Sequence, residues 1–478
     1  TLEKLGTGTL ALTGSSNFTG LATVTAGVLA LGDTTSGGSI TANVSLNANG
    51  TLLFARTGTY SYAGDIAGAG NVSKEQSGTL SLSGNSSYTG VTRLVGGVLS
   101  LNSANATGTT GTLTFAGGTL QHTANNLVDY ASRINASGNQ DIKLDVQALN
   151  VSYGVIAGTG TTLTKIGSGN LTLTGNNTYT GLTTVTESRL IVGDGNSGQL
   201  NGVIANNGTV IFNRSNDVTQ SGAISGGGSL IKQGAGNLTL SGNNNYTGAT
   251  TVTAGRLIAS HANALGATSN GTTVNSGATL TLAGNVVLAA EPLSLSGTFS
   301  SEGNNTLGSA FTLGANATLN AAANSTLTLT GAIDGNYTLS ATGGGSFGFG
   351  SIGQTTRVAG IDITNAGNVS FGGNVAAAGN VSIVASGDVA INGVMNISGA
   401  NATASMLRVN ATGCVTQNAS GRILAGTLAL LGTGGNVTLT NSSNNVSTIA
   451  ADTGSLRYVN AGTLTVGTVN PTGITATG

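Results

Sequence analysis

The chain has 478 residues, 6% of them charged, with 79 Gly, 2 Pro, no Trp and 1 Cys. Its 15 Lys and Arg against 16 Asp and Glu give a net charge of −1, which excludes the basic stripe that nucleic-acid binding requires. One Cys excludes an internal disulfide framework, and no apolar run approaches the roughly 18 residues of a membrane-spanning helix.

Low charge does not imply disorder here, because Val, Ile, Thr and Leu are abundant and can bury a core. From Thr1 onward the predicted elements are short strands in which apolar residues alternate with Thr, Ser or Asn, closed by Gly and Asn that suit tight turns. In one stretch the apolar positions are Leu171, Leu173, Leu182, Val185, Leu190 and Val192. Helical periodicity is weak everywhere; "VDYASRINAS" from Val128 comes nearest.

The stretch "GSSNFTGLATVTAGVLALGD" from Gly14 returns as "GNSSYTGVTRLVGGVLSLNS" from Gly84, "GNNTYTGLTTVTESRLIVGDG" from Gly175 and "GNNNYTGATTVTAGRLIASH" from Gly242. Lys4, Lys74, Lys165 and Lys232 stand at one fixed spacing before the aromatics Phe18, Tyr88, Tyr179 and Tyr246, and so before Gly20, Gly90, Gly181 and Gly248. The intervals between these Thr–Gly steps are unequal, the one from Gly90 to Gly181 being the longest. A coil of about 22 to 23 residues would make the three intervals three, four and three coils, the signature of a stacked-repeat architecture. The expected fold is all-β, a right-handed parallel β-helix (a β-solenoid) forming a single elongated rod, with each aromatic–Thr–Gly step at one particular corner.

Three regions follow: 1–265 with these repeats, 266–366 as connecting coils, and 367–478 with a different vocabulary. In the last region "GNVSF" from Gly367, "GNVSI" from Gly379, "GDVAI" from Gly387 and "GNVTL" from Gly435 recur at shorter intervals. The first residues, "TLEKLGTGTL", already lie inside a repeat, so the sequence reads as a piece of a longer chain whose ends would stack on further coils or on another copy.

The pattern K-x-G-x-G-x-L-x-L-x-G-x-x-x-Y-T-G-x-T-x-V-x-x-G-x-L resembles the autotransporter-associated β-strand repeat of bacterial passenger domains over residues 1–265. This chain departs from it at Phe18, at Arg93 in a usual Thr position, and at Glu187–Ser188 in place of Ala–Gly. Residues 367–478 are similar to filamentous haemagglutinin-like proteins of the two-partner secretion type. Both resemblances imply a β-helical shaft carried across the bacterial outer membrane, serving adhesion or fibre formation, with no catalytic site and no cofactor.

The residues offer few alternatives. Asp141, Lys143 and Asp145 alternate with Ile142, Leu144 and Val146, which reads either as an acid–base or metal site or, as expected here, as an outward charge-paired stripe. The four lysines sit coils apart; they read as solvated corners or local caps on carbonyls. His122 and His261 lack partners at metal-ligand spacing, and Cys414, in an alternating run, reads as a small core residue. No catalytic, cofactor-binding or metal residues are therefore assigned. Asn-x-Ser/Thr triplets such as those at Asn17, Asn170, Asn237 and Asn396 suit corners, with sugar modification the lesser reading.

The expected function is a non-enzymatic structural shaft of a secreted or cell-surface bacterial adhesin or fibre, acting in attachment or biofilm. Its expected partners are a host or neighbouring cell surface, matrix polysaccharide, or copies of itself end to end. A β-helical carbohydrate-active enzyme, lyase or hydrolase, would instead need carboxylates converging on one face, and an ice-binding solenoid would need Thr-x-Thr in register on every coil. The sequence shows neither.

Overall fold

Strand after strand pairs in parallel with a strand one coil further along the chain. Leu171 lies beside Leu190, and Leu120 beside Leu144. Parallel neighbours this close in sequence arise only if the chain winds, and the architecture is a β-solenoid. This computed structural model describes residues 1–288, 290–397, 405–467 and 474–476. Among them there is no α-helix; the segment with the weak helical pattern forms a single 3₁₀ turn, Ala131–Arg133.

The residues fall into two compact units, Thr1–Asn216 with Gln220–Leu230, and Asp217–Thr219 with Ile231–Gly478. In the first unit each coil has three faces. The long strand Val44–Ala55 covers two of them and Tyr60–Tyr62 the third, after which Ile66–Gly68 stacks on Val44–Leu46. Most inward positions are apolar, and Leu163, Leu171, Leu173, Leu190 and Val192 are all fully buried, with Lys165 and Thr183 as inward polar members. Each buried Leu or Val contributes on the order of 1.5–3 kcal/mol, and each stacks on its equivalents above and below.

The ladders revise the expectation that the motif marks one corner. The strand Thr9–Leu12, second in the first copy, shares a ladder with Asn71–Glu75, first in the second copy, through Val28–Leu31 and Thr51–Phe54. Likewise Thr79–Leu82, second in the second copy, shares a ladder with Thr162–Ile166, first in the third copy. Each copy has therefore advanced by one face. The interval from Gly20 to Gly90 is three coils plus a face, so the coils are shorter than a whole-coil reading of that interval implies. Ladder partners Leu163, Thr183, Ile204 and Ile224 mark four successive coils and show the shorter step directly.

In the second unit the recurring "GNV" and "GDV" steps have a mechanical explanation. The Asn368 carboxamide accepts the backbone N–H of Asp388 one coil on, at 2.8 Å, and the Asp388 carboxylate accepts that of Cys414, at 2.8 Å. Corner side chains thus satisfy backbone donors that the turn leaves outside the ladder. The strands between these corners, Val369–Phe371, Val389–Ile391 and Val415–Gln417, stack in register. Phe349 and Phe371 stack inside at 5.2 Å between ring centroids.

Candidate functional site

The repeat's fixed residues are the natural place to look for a site, and the coil turns them inward. Lys74 closes the strand Asn71–Glu75 on its inner side and is only 2% exposed. Its Nζ donates to the carbonyls of Glu75 at 2.7 Å and Gln76 at 2.9 Å, in the turn that follows, and of Gly96 at 3.1 Å, one coil on. Lys232 repeats the arrangement with Gln233, Gly234 and Ala254 at 3.0, 2.8 and 3.1 Å, and Lys4 with Leu5, Gly6 and Ala26 at 2.6, 2.7 and 3.1 Å. Lys165 reaches Gly167 and, at 3.0 Å, Glu187. The solvated-corner reading of these lysines is wrong and the carbonyl-cap reading is right. The stem lines the core, and in Lys4, Lys74 and Lys232 the ammonium's three N–H groups meet three carbonyls that the turn strands away from water.

Burial costs the charged form, and it lowers Lys74 and Lys232 to about 8 and lowers Lys165 in the same direction. The first two remain largely protonated at pH 7. An ammonium whose donors go to backbone carbonyls of two successive coils is a staple between them.

The aromatic–Thr–Gly step is equally internal. Tyr88, Tyr179 and Tyr246 are buried, and each hydroxyl shares a hydrogen bond with a buried threonine of the following strand: Thr92 at 2.6 Å, Thr183 at 2.8 Å and Thr250 at 2.5 Å. Burial raises the hydroxyl pKa of all three tyrosines. Inward Thr183 pushes its neighbour Leu182 outward, where it is 40% exposed, against the apolar pattern. The glycine of the step lies flat against the coil below, since a Cβ on Gly90 would sit 2.1 Å from the Gly70 carbonyl oxygen and one on Gly181 2.4 Å from that of Thr161.

Elsewhere, Ile142, Leu144 and Val146 are fully buried while Asp141 and Lys143 pair outside at 2.9 Å. Asp145 accepts hydrogen bonds from Gln121 and from the Gln147 backbone, both at 2.9 Å, so the stripe is charge-paired and locally used. His122 is fully buried, bonded to the Asn126 carbonyl at 3.0 Å and the Tyr153 hydroxyl at 2.9 Å, and burial lowers its pKa. His261 holds the Asn263 N–H at 3.0 Å. Cys414 is exposed, contrary to the core reading. It stands in the corner column of Asn368 and Asp388, a place that its "GCV" context matches.

One buried acid escaped the sequence reading. Glu291 is 4% exposed, takes a hydrogen bond from Thr272 at 2.6 Å, and burial pushes its carboxyl up to about 7. The signal was an acid set in the apolar run "VVLAAEPLSL". Among the described residues no group of three or more His, Cys, Asp or Glu is placed to hold a metal ion, and no helix is long and apolar enough to cross a membrane.

The buried Lys–Tyr–Thr–Gly set coincides with a known sequence unit. Residues 2–31, 72–101, 163–190 and 230–259 match the passenger-associated-transport-repeat model. Four segments of the chain are thus similar to that repeat. It is also similar to the adhesin BmaC autotransporter of Brucella suis biovar 1 (strain 1330), 35% identical over 173 residues. That match covers 36% of this chain and 5% of the relative, so the chain spans a small part of that protein's length. No solved structure matches the chain. Each matched segment opens on the strand of the carbonyl-capping lysine and carries the aromatic near its middle, so in the first three copies it describes about a coil and a half of winding, placed on a different face each time.

Proposed function

We propose that this chain is a segment of the extracellular shaft of a large bacterial adhesin, exported to the cell surface and acting as a non-enzymatic spacer in attachment or biofilm formation. The observation that supports it best is the orientation of the repeat. Its lysine, tyrosine, threonine and glycine point into the coil or against neighbouring backbone, so the motif specifies winding and leaves the outer surface free to vary. The matched repeat and the adhesin name of the relative favour the passenger and adhesin parts of this reading. Host or neighbouring cells and matrix polysaccharide are the partners such a shaft would serve.

The test uses bacteria carrying the whole gene. Antibody raised against residues 1–478 is expected to label intact cells, and deletion of the gene is expected to reduce adherence. Labelling seen only after permeabilisation, or adherence unchanged by the deletion, overturns the proposal. Cleavage of polysaccharide by the purified chain would overturn its non-enzymatic part.

A further inference from the structure

The second copy departs from the others on its outer surface. Four strands, Ala22–Leu31, Val44–Ala55, Asn71–Glu75 and Thr92–Leu94, form a sheet whose outward side bears a groove of about 520 Å³. Register explains its shape. Leu53, Ser73 and Arg93 stand in one outward row, and the small Ser73, 7% exposed, is the floor between two larger side chains. The flanking rows contribute Asn71 and Val91 on one side and Glu75 and Val95 on the other.

The chemistry of this groove is absent from the other copies. At the position of Arg93 they carry Thr23, Thr184 and Thr251, and at that of Glu75 they carry Leu5, Ile166 and Gln233. Arg93 is exposed and makes no hydrogen bond or ion pair with any described residue. Glu75 takes the Ser73 hydroxyl at 3.2 Å and keeps further acceptor capacity; the Asn71 oxygen is occupied by the Val91 N–H at 2.8 Å, which leaves its amide donors outward.

We propose that this groove binds a carboxylated sugar unit of a glycan. The Arg93 guanidinium presents a planar fork to the carboxylate. Glu75 accepts sugar hydroxyls and Asn71 donates to them, while Leu53, Val91 and Val95 offer apolar surface to the C–H face of the ring. The volume lies within the range of small-ligand sites. A run of acidic peptide fits less well, because Arg93 can take one carboxylate and the next would face Glu75, where a sugar presents a hydroxyl. The site goes beyond the spacer reading, which requires no ligand, and its loss would leave the shaft intact.

The test is titration of the purified chain with digalacturonic acid, followed by saturation-transfer NMR and calorimetry. A Kd on the order of 1 mM is expected, with the neutral disaccharide galactobiose at least about tenfold weaker. Arg93→Thr installs the residue of the other copies, so it should fold, which the far-ultraviolet spectrum checks; it should weaken digalacturonate at least about tenfold. Arg189→Thr, at an exposed arginine of the third copy, should leave binding unchanged. Equal binding of both disaccharides, equal binding by Arg93→Thr, an equal loss in Arg189→Thr, or tighter binding of a tri-glutamate peptide would each overturn the proposal.

Discussion

Tyr88 and Thr92 share a hydrogen bond of 2.6 Å inside the coil, and the first copy changes both members together, with Phe18 and Ala22 in their places. The pair behaves as one element: a buried phenol with a partner, or a half-buried phenyl that needs none. Tyr88→Phe alone strands the Thr92 hydroxyl, and Thr92→Ala alone strands the phenol, each at a cost of about 1–3 kcal/mol. The double variant copies the first repeat and should cost less than the sum of the two. Urea unfolding of all four proteins measures the coupling, expected near about 1 kcal/mol; strict additivity would mean that the two hydroxyls do not depend on each other.

Lys165→Met keeps the apolar stem and removes the ammonium, leaving the Gly167 and Glu187 carbonyls without their donor. Stability should fall by about 2–4 kcal/mol. Hydrogen exchange should quicken first in residues 163–190. A variant as stable as the parent would show that these carbonyls reach water.

Corner geometry makes a pair of opposite predictions. At one equivalent position past the lysine, three copies place glycine with positive φ (Gly27, Gly97 and Gly255), while the third places Ser188 at φ 55. Ser188→Gly should stabilise by about 1 kcal/mol by relieving a left-handed residue that carries a Cβ. Gly97→Ala should destabilise by more than about 2 kcal/mol, since its Cβ would lie 2.3 Å from the Gly78 carbonyl oxygen at a φ of 62. Thermal melting of the two variants decides both.

Glu291 gives the second unit a dependence on pH. Its carboxyl titrates near 7 in the folded chain against an ordinary value of 4.5, so between these values the folded state holds a proton that the unfolded chain has released. Raising the pH through this window lowers stability. The contribution is fully present below about 4.5, is lost as the pH passes about 7, and amounts to roughly 3 kcal/mol. Glu291→Gln should remove the slope and melt higher than the parent at pH 8. Parallel melting curves for parent and variant between pH 5 and 8 would refute the assignment.

Alternation was readable wherever a strand was long enough to show its phase. Ile142, Leu144 and Val146 against Asp141 and Lys143 came out as patterned, and so did Leu171 and Leu173. What the pattern could not reveal was any position where chemistry overrules polarity. Lys74 shares the inward phase of Val72, but a charge at a strand end reads as solvated until the turn carbonyls that receive it are in view. Thr183 goes inside because Tyr179 needs it, and Leu182 goes outside as a result. Cys414 has the outward parity that Val409 and Ala411 set, and reading a cysteine as a small apolar core residue overrode that count. The rotation of the copies was hidden because coil length varies while spacing inside each copy does not.

That rotation has a genetic corollary for the first unit. A motif that works on any of three sides cannot carry instructions peculiar to one of them, so the prism's walls are interchangeable modules. Unequal crossing-over that adds three coils and a third still meets a wall it can continue. The same freedom scatters outward novelties around the compass: a residue such as Arg93, arising in one copy, points in a different direction from its counterparts at Thr23 and Thr184. Duplication in this protein therefore lengthens the molecule readily but does not build a strip of identical binding sites along one side.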